Sequence, residues 1–227
     1  MIQDRVDRGI LYIISTPIGN PKDITLRAIE VLNKVNFVIC EEIRRGSTFL
    51  NKIGVTDVEC IELNEHNEQS ATQEILDMLL EGKQAGLISD CGTPVFADPG
   101  SLLIRNSIAN GIRIIPIPGA SSLMAALSIS PLPLKEFHFI GFLPRKTEER
   151  VKELKSLRNF NCPLILMDTP YRMNKLLEEV QDTLGKDRQI TLAVDLTMRS
   201  ENLFHGTVGD VREKVIGRKA EFILIIH

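Results

Sequence analysis

Leu87–Pro99, LISDCGTPVFADP, begins inside a short apolar run, Ala85–Ile88, and passes at once into small, polar and kinked residues. An apolar run of that length between turn formers reads as a strand buried on both faces, as in a parallel sheet. Asp90, Cys91, Gly92, Thr93 and Pro94 then make a loop at its carboxyl end. Open α/β sheets bind their ligands at that end. A second sharp turn, PIPGASS (Pro116–Ser122), follows another apolar strand at Ile112–Ile115.

Upstream, Gly9–Ser15 is a strand apolar on both faces, ended by TPIGNPKD, whose prolines and glycine stop regular structure. Leu26, Ala28, Ile29, Leu32 and Val35 recur at helical spacing and predict a helix over about 24–34. Phe37–Cys40 is the next strand, opening into a charged loop, EEIRRGS (Glu41–Ser47). Val58–Leu63 reads as a strand followed by the polar run NEHNE (Asn64–Glu68). Ser70 with Gln73 reads as a capping box for a helix that stops at Gly82. Downstream of the opening loop come a helix over Ser101–Asn110, ended by Gly111, and a small-residue helix over Ala120–Ser128. This β-α alternation implies a mainly parallel sheet with helices on both faces.

SPLPLK (Ser130–Lys135) reads as a linker, since its prolines break regular elements. Beyond it the sequence predicts strands at Phe137–Gly141, Pro163–Met167, Gln189–Val194, Phe204–Val208 and Ala220–Ile226. Helices are expected at Lys146–Leu157, Met173–Leu184 and Asp210–Val215. More strands than helices suggests a mixed sheet. The fold expected is two α/β domains, residues 1–119 and 120–227.

The chain has 227 residues, a net charge of −3, 43% hydrophobic and 25% charged residues, a globular balance. A protein held on nucleic acid mainly by phosphate contacts is usually basic, so generic DNA or RNA binding is disfavoured, although a local basic patch can still serve one RNA. Cys40, Cys60, Cys91 and Cys162 lie 20, 31 and 71 residues apart, which supports neither a disulfide framework nor a zinc cluster. Reduced thiols fit the cytoplasm. The N-terminal MIQDRVDRGILYIIS does not read as a signal peptide, and no apolar stretch approaches membrane-spanning length.

No G-x-G-x-x-G, no G-x-x-x-x-G-K-[ST] and no G-x-S-x-G occurs, and the four histidines lack metal-ligand spacing, so no metal is expected. What stands out is a set of strand-end loops: TPIGN, EEIRRGS, NEHNE, SDCGTPVFADPG, PIPGASS, DTPYR and AVDLTMRS. Glycines in such loops let backbone approach a ligand, and amides after Gly119 at a helix start favour carboxylate or phosphate. Glycine and proline also simply make turns. By composition alone the ligand is any small polar molecule.

STPIGNPKDITLRAIEVL, SDCGTPVFADPG, PIPGASSLMAALSIS and FIGFLPRK together resemble the tetrapyrrole (corrin/porphyrin) methylase superfamily, most of all its ribosomal RNA small subunit methyltransferase I branch. The resemblance covers essentially the whole chain. It implies an enzyme, usually a homodimer, that binds S-adenosylmethionine in a cleft between its two domains. Carried over by position, the cofactor contacts are Ile18, Cys91, Gly92, Thr93, Phe96, Ser121, Ser122 and Met167. The chain departs from the branch on the acceptor side. Glu41–Arg44 reads EEIR for EDTR, Asn64 replaces a histidine in HEHNE, Asp168–Arg172 reads DTPYR for ESPHR, and Val194 and Met198 replace the basic residues of RELTK. It also stops at His227 without the C-terminal extension that many members carry.

The reaction this implies is methyl transfer to an oxygen, a ribose 2′-hydroxyl of ribosomal RNA in the small ribosomal subunit. Such an acceptor must lose a proton, and Glu41, Glu42, Glu65, His66 and Asp195 have the chemistry of a general base. Arg44, Arg45 and Arg172 can bind phosphate. Glu41, Arg44 and His66 are the first choices for catalysis. Two other readings stay open: methylation of a tetrapyrrole or other small molecule, and a module that binds the cofactor without catalysis.

Overall fold

The computed structural model describes residues 8–96, 98–133 and 135–227; Met1–Asp7, Ala97 of the opening loop and Leu134 of the linker-like segment lie outside the described residues. The chain divides into two compact units, Met1–Ser121 and Ser122–His227.

In the first unit five strands, β1 (Ile10–Ile14), β2 (Phe37–Cys40), β3 (Glu59–Glu62), β4 (Ala85–Ile88) and β5 (Arg113–Ile117), form one parallel sheet in the order β3-β2-β4-β1-β5. Both faces of these strands are apolar, as the sequence predicts, because both are covered. On one face Leu11, Phe37, Ile39, Ala85 and Leu87 pack with Ile75 and Leu79 of α3 (Glu68–Leu80) and Leu103 of α4 (Ser101–Ala109). On the other, Ile14, Val38, Cys40 and Ile88 pack with Ala28 and Leu32 of α1 (Leu26–Leu32) and Leu50 of α2 (Ile43–Lys52).

Strand order fixes where a ligand crevice lies. The chain leaves β1 toward β2 and β3 over the α1/α2 face, then returns and leaves β4 toward β5 over the α3/α4 face. Neighbouring strands β4 and β1 therefore lead to helices on opposite faces of the sheet, the switch point at which such sheets bind ligands.

Three expectations need correction. EEIRRGS is not a loop throughout: α2 begins at Ile43, and its interior Gly46 is buried where a Cβ would stand 2.7 Å from Cys40 Sγ. Ser70 and Gln73 are not a capping box. α3 starts at Glu68, and the Ser70 hydroxyl donates back to the Asn67 carbonyl from inside the helix. Strand β5 runs to Ile117 through Pro116, tolerated because β5 is an edge strand paired only with β1.

The second unit holds a mixed sheet in the order β6-β7-β10-β8-β9, built from β6 (His138–Phe142), β7 (Leu164–Asp168), β8 (Gln189–Val194), β9 (Asn202–Thr207) and β10 (Phe222–Ile226). Only β6 and β7 pair in parallel. Its core joins these strands to α6 (Thr147–Ser156), α7 (Met173–Leu184) and α8 (Val208–Lys214). The fifth α-helix in chain order, α5 (Ser122–Ser128), starts two residues later than the expected Ala120. The strand predicted to end at Val208 ends at Thr207, which instead caps α8 by accepting from the Asp210 amide. Among the described residues no helix is long and apolar enough to cross a membrane, and no group of three or more His, Cys, Asp or Glu side chains can hold a metal. None of the four cysteines forms a disulfide among the described residues.

Candidate functional site

At the switch point the loops after β1, β4 and β5 are tied together. The Thr16 amide donates to the Gly92 carbonyl at 2.9 Å, and its hydroxyl donates to the Ser89 carbonyl at 2.9 Å. The hydroxyls of Ser15 and Thr93 lie 3.0 Å apart, and Thr93 also donates to the Ala120 carbonyl at 3.2 Å. Cys91 Sγ faces the Ile18 carbonyl at 3.7 Å. Ile18, Cys91, Gly92 and Thr93 are thereby brought together beside Ala120 and its neighbour Ser121.

Backbone conformation suits a close approach. Gly92 has φ +84°, and a Cβ there would lie 3.2 Å from Ile18 Cγ2 and 3.7 Å from the Ala120 carbonyl oxygen. Val95 in the same loop has φ 71°, a left-handed conformation that costs a β-branched residue of order 1–3 kcal/mol. Phe96 presents its ring to solvent, 59% exposed. The first residue of α3 holds this loop's far end where α4 begins: Glu68 Oε1 accepts from the Gly100 amide at 3.0 Å. Ser122 and Met167 belong to the second unit. Ser122 begins α5, and Met167 pairs with Ile223 of β10 and Phe142 of β6.

Next to these loops is an open cleft of ≈ 300 Å³ lined by Glu41, Glu42, Arg45, Glu62, Asn64, Glu65, His66 and Asp90. Two of the three residues favoured for catalysis, Glu41 and His66, line it; Arg44 does not. Arg44 sits exposed in the first turn of α2, its carbonyl accepting from Thr48. The guanidinium in the cleft is that of Arg45, which reaches Asp90 Oδ2 and Glu42 Oε2, each at 2.9 Å. It joins the first turn of α2 to the β4 loop.

Burial pushes the Glu41 carboxyl above its ordinary value, and the negative charges of Asp90, Asp98 and Glu65 add to the shift against the opposing pull of Arg45. A carboxylate raised toward the working pH is suited to accept a proton. His66 lies on the rim, its side chain 84% exposed and Nε2 3.7 Å from Glu65 Oε1. Asp195 is occupied elsewhere: with φ 50° it accepts from the Glu221 amide at 3.1 Å and from Arg218 at 3.3 Å. Arg172 is held by Asp168 Oδ1 at 2.6 Å.

Sequence reasoning missed the turn that shapes the cleft wall. Asn64 Oδ1 accepts from the amides of His66 and Asn67, and Asn67 Oδ1 accepts from the Asn64 amide at 2.8 Å. Paired asparagines at this spacing are the available signal, because an Asn side chain mimics backbone in a turn.

The family model described as Tetrapyrrole (Corrin/Porphyrin) Methylases matches residues 10–212. A protein of Escherichia coli O157:H7 called ribosomal RNA small subunit methyltransferase I is 38% identical over 97% of this chain and 78% of its own length. Its counterpart of the same name in Halalkalibacterium halodurans is 36% identical over 99% of this chain and 78% of its own. Among solved structures, uroporphyrin-III C-methyltransferase from Thermus thermophilus, complexed with S-adenyl homocysteine, superposes with a TM-score of 0.66 at 16% identity, covering 96% of this chain and 97% of that one. A cobalt precorrin-4 methyltransferase of cobalamin biosynthesis gives 0.68 at 18% identity over 100% and 98%. Those likenesses show the fold. With its switch-point loops, its parallel and mixed sheets and its relatives in agreement, the chain belongs to the tetrapyrrole (corrin/porphyrin) methylase family.

Proposed function

We propose that this protein is an S-adenosylmethionine-dependent methyltransferase acting on a ribose 2′-hydroxyl of small-subunit ribosomal RNA, as a homodimer in the cytoplasm. One observation carries the reading: the crevice where the β1, β4 and β5 loops are stitched together, in a chain 36–38% identical to named small-subunit RNA methyltransferases. The residues fit the cofactor. Gly92, left-handed and without a side chain, leaves backbone open to approach beside Ile18 and Ala120. Ile18, Cys91, Gly92, Thr93, Phe96, Ser121, Ser122 and Met167 would hold it.

When bound, S-adenosylmethionine supplies a methyl group already activated by its sulfonium. The chain's own tasks are then alignment and proton removal. Holding acceptor and donor at attack distance accounts for roughly 7–11 kcal/mol of barrier lowering. Glu41 accepts the hydroxyl proton as general base, and its raised proton affinity brings it nearer the acceptor's. His66 on the rim and Arg44 on the exposed turn of α2 meet the acceptor's polar groups, and Arg45 sets the charge around Glu41.

Purified 30S particles incubated with the protein and methyl-labelled S-adenosylmethionine test this, followed by ribose-methylation mapping. Label at a 2′-oxygen of the RNA is expected. Label on a porphyrinoid precursor and none on 30S particles would move the acceptor to the small-molecule class. Cofactor binding with no transfer to any acceptor would leave a binding module.

A further inference from the structure

A protein of net charge −3 that acts on RNA must still hold a polyanion. Charge is divided unevenly: residues 1–121 carry 11 Lys and Arg against 16 Asp and Glu, residues 122–227 carry 16 against 14. The cleft around Glu41 has five carboxylates and one guanidinium. That cleft repels a phosphate backbone, so another surface must supply the grip.

The second unit has one where its three inner strands end. Phe222, the first residue of β10, pairs with Asp168 at the end of β7 and with Val194 at the end of β8. The segments 169–172, 195–201 and 215–221 therefore emerge together. They are cross-braced: Asn174 Nδ2 donates to the Arg218 carbonyl at 2.7 Å, Asn174 Oδ1 accepts from the Gly217 amide at 3.2 Å, and Arg218 donates to the Ser200 carbonyl at 2.8 Å. On this braced rim Tyr171 is 79% exposed and Ile216 74% exposed. Lys219 Nζ lies 5.2 Å from the centroid of the Tyr171 ring, and neither Lys219 nor Arg199 has a carboxylate partner among the described residues.

An exposed ring with a cation over one face, and a further cation on a neighbouring segment of the same rim, is the arrangement that takes single-stranded nucleic acid. A base stacks on the open face while the cations meet phosphate. We infer that Tyr171, Lys219 and Arg199 form a stacking platform for an unpaired nucleotide of the RNA acceptor. The inference rests on the RNA reading above, and it concerns binding by a surface distinct from the residues assigned to chemistry. The bracing matters to it. A platform held by Asn174 and Arg218 is already ordered, so little conformational entropy is lost when a base docks.

The chain contains no tryptophan, so Tyr171→Trp introduces a single indole whose fluorescence reports stacking directly. In the full-length variant a single-stranded oligoribonucleotide should quench that fluorescence, and the same sequence annealed into a duplex should not. Tyr171→Ala should weaken single-strand binding by about 10-fold and Tyr171→Phe should leave it intact. Lys219→Gln should lower the slope of log affinity against log salt by about 0.7. Affinity for S-adenosylmethionine should not move in any variant. Equal quenching by single strand and duplex overturns the platform, as does quenching by a polycarboxylate porphyrinoid in place of RNA. Wild-type protein that methylates 30S particles while the indole responds to no RNA also overturns it. Quenching by RNA without methylation of 30S particles sustains the platform and sinks the acceptor reading instead.

Discussion

Arg150 and Glu179 offer the sharpest test of how the second unit is held together. Arg150 on α6 is 3% exposed and Glu179 on α7 is 4% exposed, and two of their nitrogen–oxygen pairs meet at 2.6 and 2.8 Å. The same guanidinium donates to the carbonyls of Pro144 at 3.0 Å and Arg145 at 2.8 Å and to the Thr147 hydroxyl at 3.1 Å. It thus pins the loop after β6 to both helices. Replacing Arg150 with Met keeps most of the volume and leaves a buried carboxylate and two carbonyls without donors. Removing one partner of a buried pair costs about 3–5 kcal/mol, a large share of the roughly 5–15 kcal/mol by which a domain is stable. With a urea m-value near 2 kcal/mol per molar, the midpoint should fall by about 2 M. The double variant Arg150→Met/Glu179→Leu removes the stranded charge and should recover most of the loss. Glu149 is a control. Its bond to Lys146 at 3.1 Å joins side chains 57% and 80% exposed, so Glu149→Ala should cost less than about 1 kcal/mol. Urea titrations of the wild type and the three variants, followed by circular dichroism, give these changes. A loss below about 1 kcal/mol for Arg150→Met, or a double variant weaker than the single one, would refute the reasoning.

Glu41→Gln should slow methyl transfer by at least about 100-fold while leaving the dissociation constant of S-adenosylmethionine unchanged. Because folding raises the proton affinity of Glu41, its favourable contribution is present at acid pH and is lost as pH rises through that raised value. The Gln variant should therefore be at least as stable as wild type at pH 8, and a clear loss there would contradict the shift. Arg45→Gln removes the cation that opposes the shift, so the acidic limb of the kcat/KM profile should move to higher pH; a limb that stays put or moves down rejects Glu41 as the base. Gly92→Ala forces a side chain into a left-handed conformation, costing roughly 1–2 kcal/mol, and pushes a methyl against Ile18 Cγ2. Calorimetry should show weaker S-adenosylmethionine binding in a protein that still folds, and unchanged affinity would remove the crevice from the cofactor reading.

Some of this was written in local sequence. Ile10–Ile14, Phe37–Cys40 and Ala85–Ile88 are apolar at every or nearly every position, and only a sheet covered on both faces buries such strands. Met173–Leu184 and Gln189–Val194 were legible to the residue because Gly185 and the polar turn after it separate two clear periods. Helix α2 was not legible. IRRGSTFLNK has a central glycine and a polar start, a poor helix by propensity. It folds because Gly46 lets its backbone approach Cys40 and Leu50 reaches the core, 2% exposed.

The sequence by itself determined the alternation of strands and helices, the glycine- and proline-bearing loops at strand ends and the family they resemble, because each follows from neighbours within a few positions. Tertiary structure decided which loops meet. Strand order places the β1 and β4 loops side by side, although Thr16 and Gly92 are 76 residues apart. It also put Arg45, rather than Arg44, into the cleft. Successive helical residues point about 100° apart, and only the packing of α2 on its sheet settles which of two adjacent arginines faces Asp90. Long-range pairings of this kind, Arg150 with Glu179 and Lys219 with Tyr171 among them, leave no periodicity in the chain to be read.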